Sequence, residues 1–249
     1  MTSDPTVATF LQALGDTPEN VISAHLVRRG LGRAVWTGDP AHFQAAWVQS
    51  IHDPGEPCGY GEDAAALWAL LQTLDGWKYP NVSLSVAEDL AHLMEHELGI
   101  PYRLYADVYH TLTRPAPIIP HPDVRRLTLD DLPLLETSEV ASWCGFGGPA
   151  GLLREGFAAA TLVNGQIVGL AQTYAITERH ADVGIGILEP YRRRGYALAA
   201  CSLVCQAVQA IGLTPVWSTG EDNHASLRLG QKLGFIETSH RVYLIPPKL

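Results

Sequence analysis

Charged side chains are scarce in this 249-residue chain, at 17%, and basic ones scarcer still: 17 Lys and Arg stand against 26 Asp and Glu, a net charge of −9. A chain without a basic surplus lacks the electrostatic footprint of a nucleic-acid binder, and that class is set aside. No apolar run approaches the ~18 residues that a membrane helix needs, so no membrane partner is expected. The opening residues Met1-Thr2-Ser3-Asp4-Pro5 lack the basic-then-apolar order of a secretory leader, and a soluble cytoplasmic protein is expected. Cysteine is rare too. Cys58, Cys144, Cys201 and Cys205 include no Cys-x-x-Cys pair, and Cys201 and Cys205, four apart on a helix, read as stacked core residues. No metal is expected. Apolar residues are plentiful at 47%, enough for a packed core and against disorder. The acidic balance mildly favours a cationic small-molecule partner through electrostatic steering.

The stretch from Thr113 to Pro122 carries four prolines, reads as an extended linker, and places a domain boundary between residues 117 and 118. Beyond it the pattern is α/β. A short strand covers Val124–Leu127, and a capped helix start follows at Thr128. The glycine-rich run from Cys144 to Gly151 is a near miss to G-x-G-x-x-G, but no strand leads into it, so it reads as a loop. Strands over Phe157–Val163 and Gln166–Tyr174 are joined by Asn164-Gly165, a strong hairpin signal. Asp182–Ile187 is a third strand. A helix from Ala197 to Ile211 carries an apolar stripe at Ala197, Cys201, Val204, Cys205, Val208 and Ile211. Further elements are a strand Pro215–Thr219, a helix Asn223–Leu233 closed by Gly234, and a strand Val242–Ile245.

The N-terminal half shows a related order: a helix over Asp63–Leu74, a strand Val82–Val86, a helix Ala87–Leu98 capped by Gly99, and an extended stretch Tyr102–Leu112. Gly59-Tyr60-Gly61 stands before the first helix as Gly195-Tyr196-Ala197 stands before its counterpart, and Ser85–Asp89 echoes Ser218–Asp222. The halves read as an internal duplication.

The chemistry concentrates at Arg192-Arg193-Arg194-Gly195-Tyr196-Ala197, between a strand and a helix start. A helix N-terminus leaves N–H groups without partners and carries partial positive charge; Gly195 lets the backbone approach an anion; the arginines offset phosphate charge. The turn lacks the Gly-Lys-Ser/Thr ending of a Walker loop.

Arg192-x-x-Gly195-x-Ala197 resembles the Gln/Arg-x-x-Gly-x-Gly/Ala signature of the GNAT superfamily of N-acetyltransferases. Ile187-Leu-Glu-Pro-Tyr191 is similar to the text before that signature, and the run from Asn223 to Phe235 resembles the superfamily's later helix. Leu213 to Ser218 further resembles the zwittermicin-resistance type branch. The resemblance covers about residues 122 to 249. It implies a mixed-sheet GNAT-like domain over 118–249, preceded over 1–117 by an α/β domain that reads as degenerate and acetyltransferase-like. It implies acetyl-CoA as acyl donor and an amine as acceptor, which the acidic balance of the chain suggests is small and cationic. Ile187 and Leu188 would meet the pantetheine amides; Arg192, Arg193, Arg194, Gly195, Tyr196, Ala197 and Leu198 would hold the pyrophosphate. Asn223 and Ser226 would face the cofactor with Gly230. Asp182, with Gly184 and Gly186 beside it on one strand face, is the first candidate for the base that deprotonates the amine; His180 and Glu178 are alternatives. Many family members carry a tyrosine as general acid where Gly230 stands. Without it, another group protonates the thiolate, or it leaves as the anion, since a free thiol's pKa is only ~8.5.

Two competing readings exist. A non-catalytic acyl-CoA sensor would bind the donor and transfer nothing. His92-Leu-Met-Glu95-His96 matches an H-x-x-E-H zinc peptidase pattern, but Leu90, Leu93, Met94 and Leu98 form the apolar face, leaving His92, Glu95 and His96 on a solvated one. A homodimer is left open.

Overall fold

The computed structural model describes residues 4–247. The chain forms two compact units. The first holds residues through Val108, with Gly220–Asp222 and those from Ser239 onward; the second holds Tyr109–Thr219 and Asn223–Thr238.

The first unit begins with helices α1 (Pro5–Leu14) and α2 (Val21–Arg28). Strands β1 (Gly32–Thr37), β2 (Ala45–Ser50) and β3 (Cys58–Tyr60) follow, then α3 (Ala64–Leu71), β4 (Asn81–Ser83), α4 (Leu84–Leu98) and β5 (Arg103–Thr111). Its strand order is β1-β2-β3-β4-β11-β5, where β11 is Ile236–Ile245. Its main core joins Trp47, Leu67, Leu71, Leu90 and Met94 to Val242 and Leu244 of β11. The strand expected over Val82–Val86 is cut short. Val82-Ser-Leu-Ser-Val86 alternates like a strand, yet Val86, Ala87, Leu90, Ala91 and Met94 repeat with helical spacing and are all buried. Burying that stripe wins, and the helix starts at Leu84.

The second unit comprises β6 (Val124–Arg126), α5 (Leu132–Glu136), α6 (Pro149–Glu155), β7 (Ala158–Val163), β8 (Gln166–Ile176), β9 (His180–Ile187), α7 (Tyr196–Ala210), β10 (Thr214–Gly220) and α8 (His224–Leu233). Its strand order is β11-β5-β10-β9-β8-β7-β6, a mixed sheet: β9 is antiparallel to β8 and parallel to β10. The β7–β8 hairpin turns on Asn164 and Gly165, both with positive φ (51° and 78°), the two-residue turn that matches strand twist. Ala181 and Val183 of β9 pack with Ala200, Cys201, Val204 and Cys205 of α7. Burial pushes both of these thiols up, that of Cys205 to about 12, so they serve as core residues.

The proline-rich stretch is not a free linker. The side chains of Ser202, Gln206 and Gln209 on α7 donate to the carbonyls of Pro117, Leu112 and Arg114, and Ala116 N–H donates to Gln209 at 2.8 Å. Proline removes donors but leaves carbonyls, and α7 supplies the donors. The units therefore part earlier than residue 117, within β5. Among the described residues no helix is long and apolar enough to cross a membrane.

Candidate active site

β10 pairs with β9 only at Thr214↔His180, Pro215↔Ala181 and Val216↔Asp182. Beyond Asp182 the two parallel strands separate, and a cleft of about 1000 Å³ opens. Val183 to Ile187 form one wall; Trp217, Ser218 and Thr219 form the other, with α8 beside them.

The arginine turn closes the end of this cleft. Arg193 adopts φ +63° and Gly195 φ +85°, and Gly195 is the N-cap of α7. The first helical hydrogen bond there is Ala199 N–H to Gly195 O, at 3.2 Å. The N–H groups of Tyr196, Ala197 and Leu198 precede it, and Gly195 has no side chain to cap them. Arg192 Nε donates to Ile187 O at 3.0 Å, and Arg194 donates to Pro190 O at 3.1 Å while lying over the Tyr191 ring. These contacts brace the stems and leave the residues exposed. Arg228 and Lys232 on α8 add two more cations, and among the described residues no carboxylate lines the cleft. In a chain of net charge −9 that is a concentrated positive field.

Most of the expected donor-site residues line this one cleft: Ile187, Arg192 to Leu198, Asn223 and Ser226. Leu188 does not. Its N–H is given to Val168 O at 2.9 Å, on the β8 side. The Asn223 side chain caps α8 by accepting Ser226 N–H at 3.2 Å. Ser226 Oγ accepts the Trp217 indole N–H at 3.0 Å, and Gly230 is buried beside that indole, an added Cβ standing 3.5 Å from it.

The residues expected to carry acid–base chemistry fall elsewhere. Asp182 is buried, 5% exposed, and is not on the cleft wall. His180 is buried at the start of β9, and Glu178 is exposed in the turn before it, both at the opposite end of the strand from the arginine turn. Gly184 and Gly186 do not leave open floor. A Cβ at Gly184 would stand 2.3 Å from the Tyr174 ring, and one at Gly186 would stand 2.5 Å from the Trp143 ring. These glycines seat two aromatic side chains.

Sequence reading missed Tyr174 and Gln172. Pairing of β8 with β9 shifts register between Thr173 and Ala175, so Tyr174 occupies a bulge that aims its ring over Gly184. Burial pushes the Tyr174 phenol up, and the Asp182 carboxylate adds to the rise. Gln172, fully buried, holds the loop that carries Trp143: its amide donates to Trp143 O at 2.5 Å and accepts Gly145 N–H at 2.8 Å. A polar residue in the apolar run of β8 was the available signal. His92, Glu95 and His96 lie exposed on α4, and no group of three or more His, Cys, Asp or Glu that could hold a metal occurs among the described residues.

The fold and cleft define an α/β protein with a cationic cavity where two parallel strands part. Residues 135–243 match the family model of GNAT acetyltransferases. Solved structures share the fold over nearly the whole chain. A GCN5-related N-acetyltransferase-like protein from Streptococcus suis is 19% identical, with 96% of this chain and 98% of that one covered at a TM-score of 0.69. A GCN5-related N-acetyltransferase from Kribbella flavida is 16% identical, with 94% and 97% covered at 0.64. A tandem GNAT protein from the clavulanic acid biosynthesis pathway is 15% identical, with 100% and 97% covered at 0.55. No curated protein matches the chain.

Proposed function

We propose that this protein is an acyl-CoA-dependent N-acetyltransferase acting on a small-molecule amine. The observation that carries the reading is the uncapped N-terminus of α7 behind three arginines, opening onto a cleft with five cationic side chains and, among the described residues, no carboxylate. A pyrophosphate fits that set: backbone N–H groups at a helix N-terminus, glycine for close approach, and guanidinium groups for charge. Arg192 to Leu198 would hold the phosphates, and the cleft edge of β9 would run beside the pantetheine. The text from Leu213 to Ser218 supports a place near the zwittermicin-resistance type branch.

Bound acetyl-CoA supplies a thioester whose acetyl group passes to the amine while coenzyme A leaves as thiol. The chain's own residues orient that exchange and move its protons. With Asp182 buried off the cleft wall, we assign the acceptor's proton to water in the cleft. The Tyr174 phenol, which lines the cleft, is the proton donor to the departing sulfur. Asp182 acts through Tyr174.

Calorimetry with acetyl-CoA tests the reading. The native chain binds, and Gly195→Glu abolishes binding, because it adds bulk and negative charge at a φ of +85°. Unchanged affinity in a folded variant overturns the phosphate site. Binding without thiol release across a broad amine panel would leave a sensor instead of an enzyme.

A further inference from the structure

The acceptor side of the cleft is built from aromatic rings. By strand alternation Gly184 and Gly186 lie on the face of β9 opposite Ala181 and Val183, which pack with α7. On that face the Tyr174 ring covers Gly184 and the Trp143 ring covers Gly186. Residues two apart on a strand repeat about every 7 Å, so the rings occupy adjacent steps. Both line the cleft; Trp143 is half-buried and Tyr174 is 39% exposed. The surface is fixed. Gln172 clamps both sides of Cys144, and Gly145 lies against the Tyr174 backbone, where an added Cβ would sit 3.2 Å from its Cα and carbonyl oxygen.

The charged side chains that line the cleft are of one sign. Arg192, Arg193, Arg194, Arg228 and Lys232 line the cleft, and no Asp or Glu does among the described residues. A polyamine or an aminoglycoside carries several ammonium groups, each of which needs a carboxylate or water to stay solvated. With Arg192, Arg193 and Arg194 taken up by the donor's phosphates, the cleft still offers no carboxylate, among the described residues, to pair with the remaining ammonium groups. A single amine on a flat apolar body meets no such obstacle: the body covers the rings, and the ammonium form gains from a ring face.

We infer that the acceptor is a monoamine carried on an aromatic or flat apolar body, held against Trp143 and Tyr174, and not a polycationic amine. This rests on the acetyltransferase reading above and narrows it, replacing an acceptor chosen by overall charge with one chosen by the local floor.

The test is steady-state kinetics by thiol release on the full chain, with phenethylamine and tryptamine against spermidine and kanamycin, and acetyl-CoA binding followed in parallel by calorimetry. The aryl amines are expected to show kcat/KM at least tenfold above the polycations. Trp143→Ala should raise the KM for the aryl amine about tenfold more than the KM for acetyl-CoA, and Trp143→Phe should recover most of the loss. Preference for spermidine or kanamycin overturns the inference, as does an acceptor KM that both Trp143 variants leave unchanged. If acetyl-CoA binds but no aryl amine is turned over, the inference falls and the donor site stands. If acetyl-CoA does not bind, both fall.

Discussion

Asp182 and Tyr174 show how the environment of a side chain reassigns its chemistry. A carboxylate on the cofactor strand is the natural first candidate for a base, but here it is sealed from the cleft and lies close enough to Tyr174 to raise the phenol's pKa. A nearby negative charge disfavours the phenolate, so removing it lets the proton leave more easily. Asp182→Asn should therefore move the alkaline limb of the pH–rate profile to lower pH, with the rate at neutral pH largely kept. A base in direct contact with the acceptor would instead alter the acidic limb. Tyr174→Phe should cost about tenfold to a hundredfold in kcat, the low end of general-acid effects, because a thiolate of pKa ~8.5 leaves readily unaided. An unaltered kcat would return the departing sulfur to solvent. The sequence showed Asp182 and its neighbouring glycines plainly. It could not show burial, nor the bulge that turns Tyr174 toward Gly184, because a one-residue register shift leaves no mark on composition.

The elements that carry local signals were legible. Asn164-Gly165 specifies its turn through two positive φ values, Gly99 and Gly234 end α4 and α8 in the left-handed conformation, and the Arg192–Ala197 text marks the start of α7. Elements defined by a distant partner were not. The prolines from Thr113 to Pro122 read as a linker until the glutamines of α7 are seen to strap them. Gln172 is the same kind of element on the functional side, since it joins β8 to the loop bearing Trp143. Gln172→Leu would leave Trp143 O and Gly145 N–H without their buried partner, a cost of about 1–3 kcal/mol by the usual penalty for unmet hydrogen bonds. Urea denaturation should show a lower midpoint at unchanged slope. The KM for the acceptor should rise as well, since the loop holds the floor. A variant as stable as the parent would show that the loop is held by packing alone.

Across the whole chain, the run β3–α3–β4–α4–β5 parallels β9–α7–β10–α8–β11, yet β11 stands next to β4 in the first unit and β5 next to β10 in the second. This repeated order of elements is the pattern that a duplication would leave, but the alignment of Gly59-Tyr60-Gly61 with Gly195-Tyr196-Ala197 expected from the sequence does not hold. Gly59 and Tyr60 belong to β3, and only residues 61–63 connect it to α3, whereas residues 188–195 connect β9 to α7. The first unit thus has no counterpart of the arginine turn. The N-terminus of α3 is also filled, for the Asp63 carboxylate accepts Ala66 N–H at 3.0 Å and sits where an anion would bind. Finally, β3 and β4 pair only at Cys58↔Asn81, and the Arg241 guanidinium spans them, donating to Gly59 O at 2.6 Å and to Asn81 Oδ1 at 2.5 Å beneath the Tyr60 ring. A side chain of the protein holds the space and the hydrogen bonds that a pantetheine would need. Acetyl-CoA should accordingly titrate to one site per chain. Arg241→Ala should keep that stoichiometry while lowering stability by at least about 2 kcal/mol, since it strips buried acceptors of a charged donor. A second site of comparable affinity, in either the parent or the variant, would show that the first unit kept its cofactor chemistry.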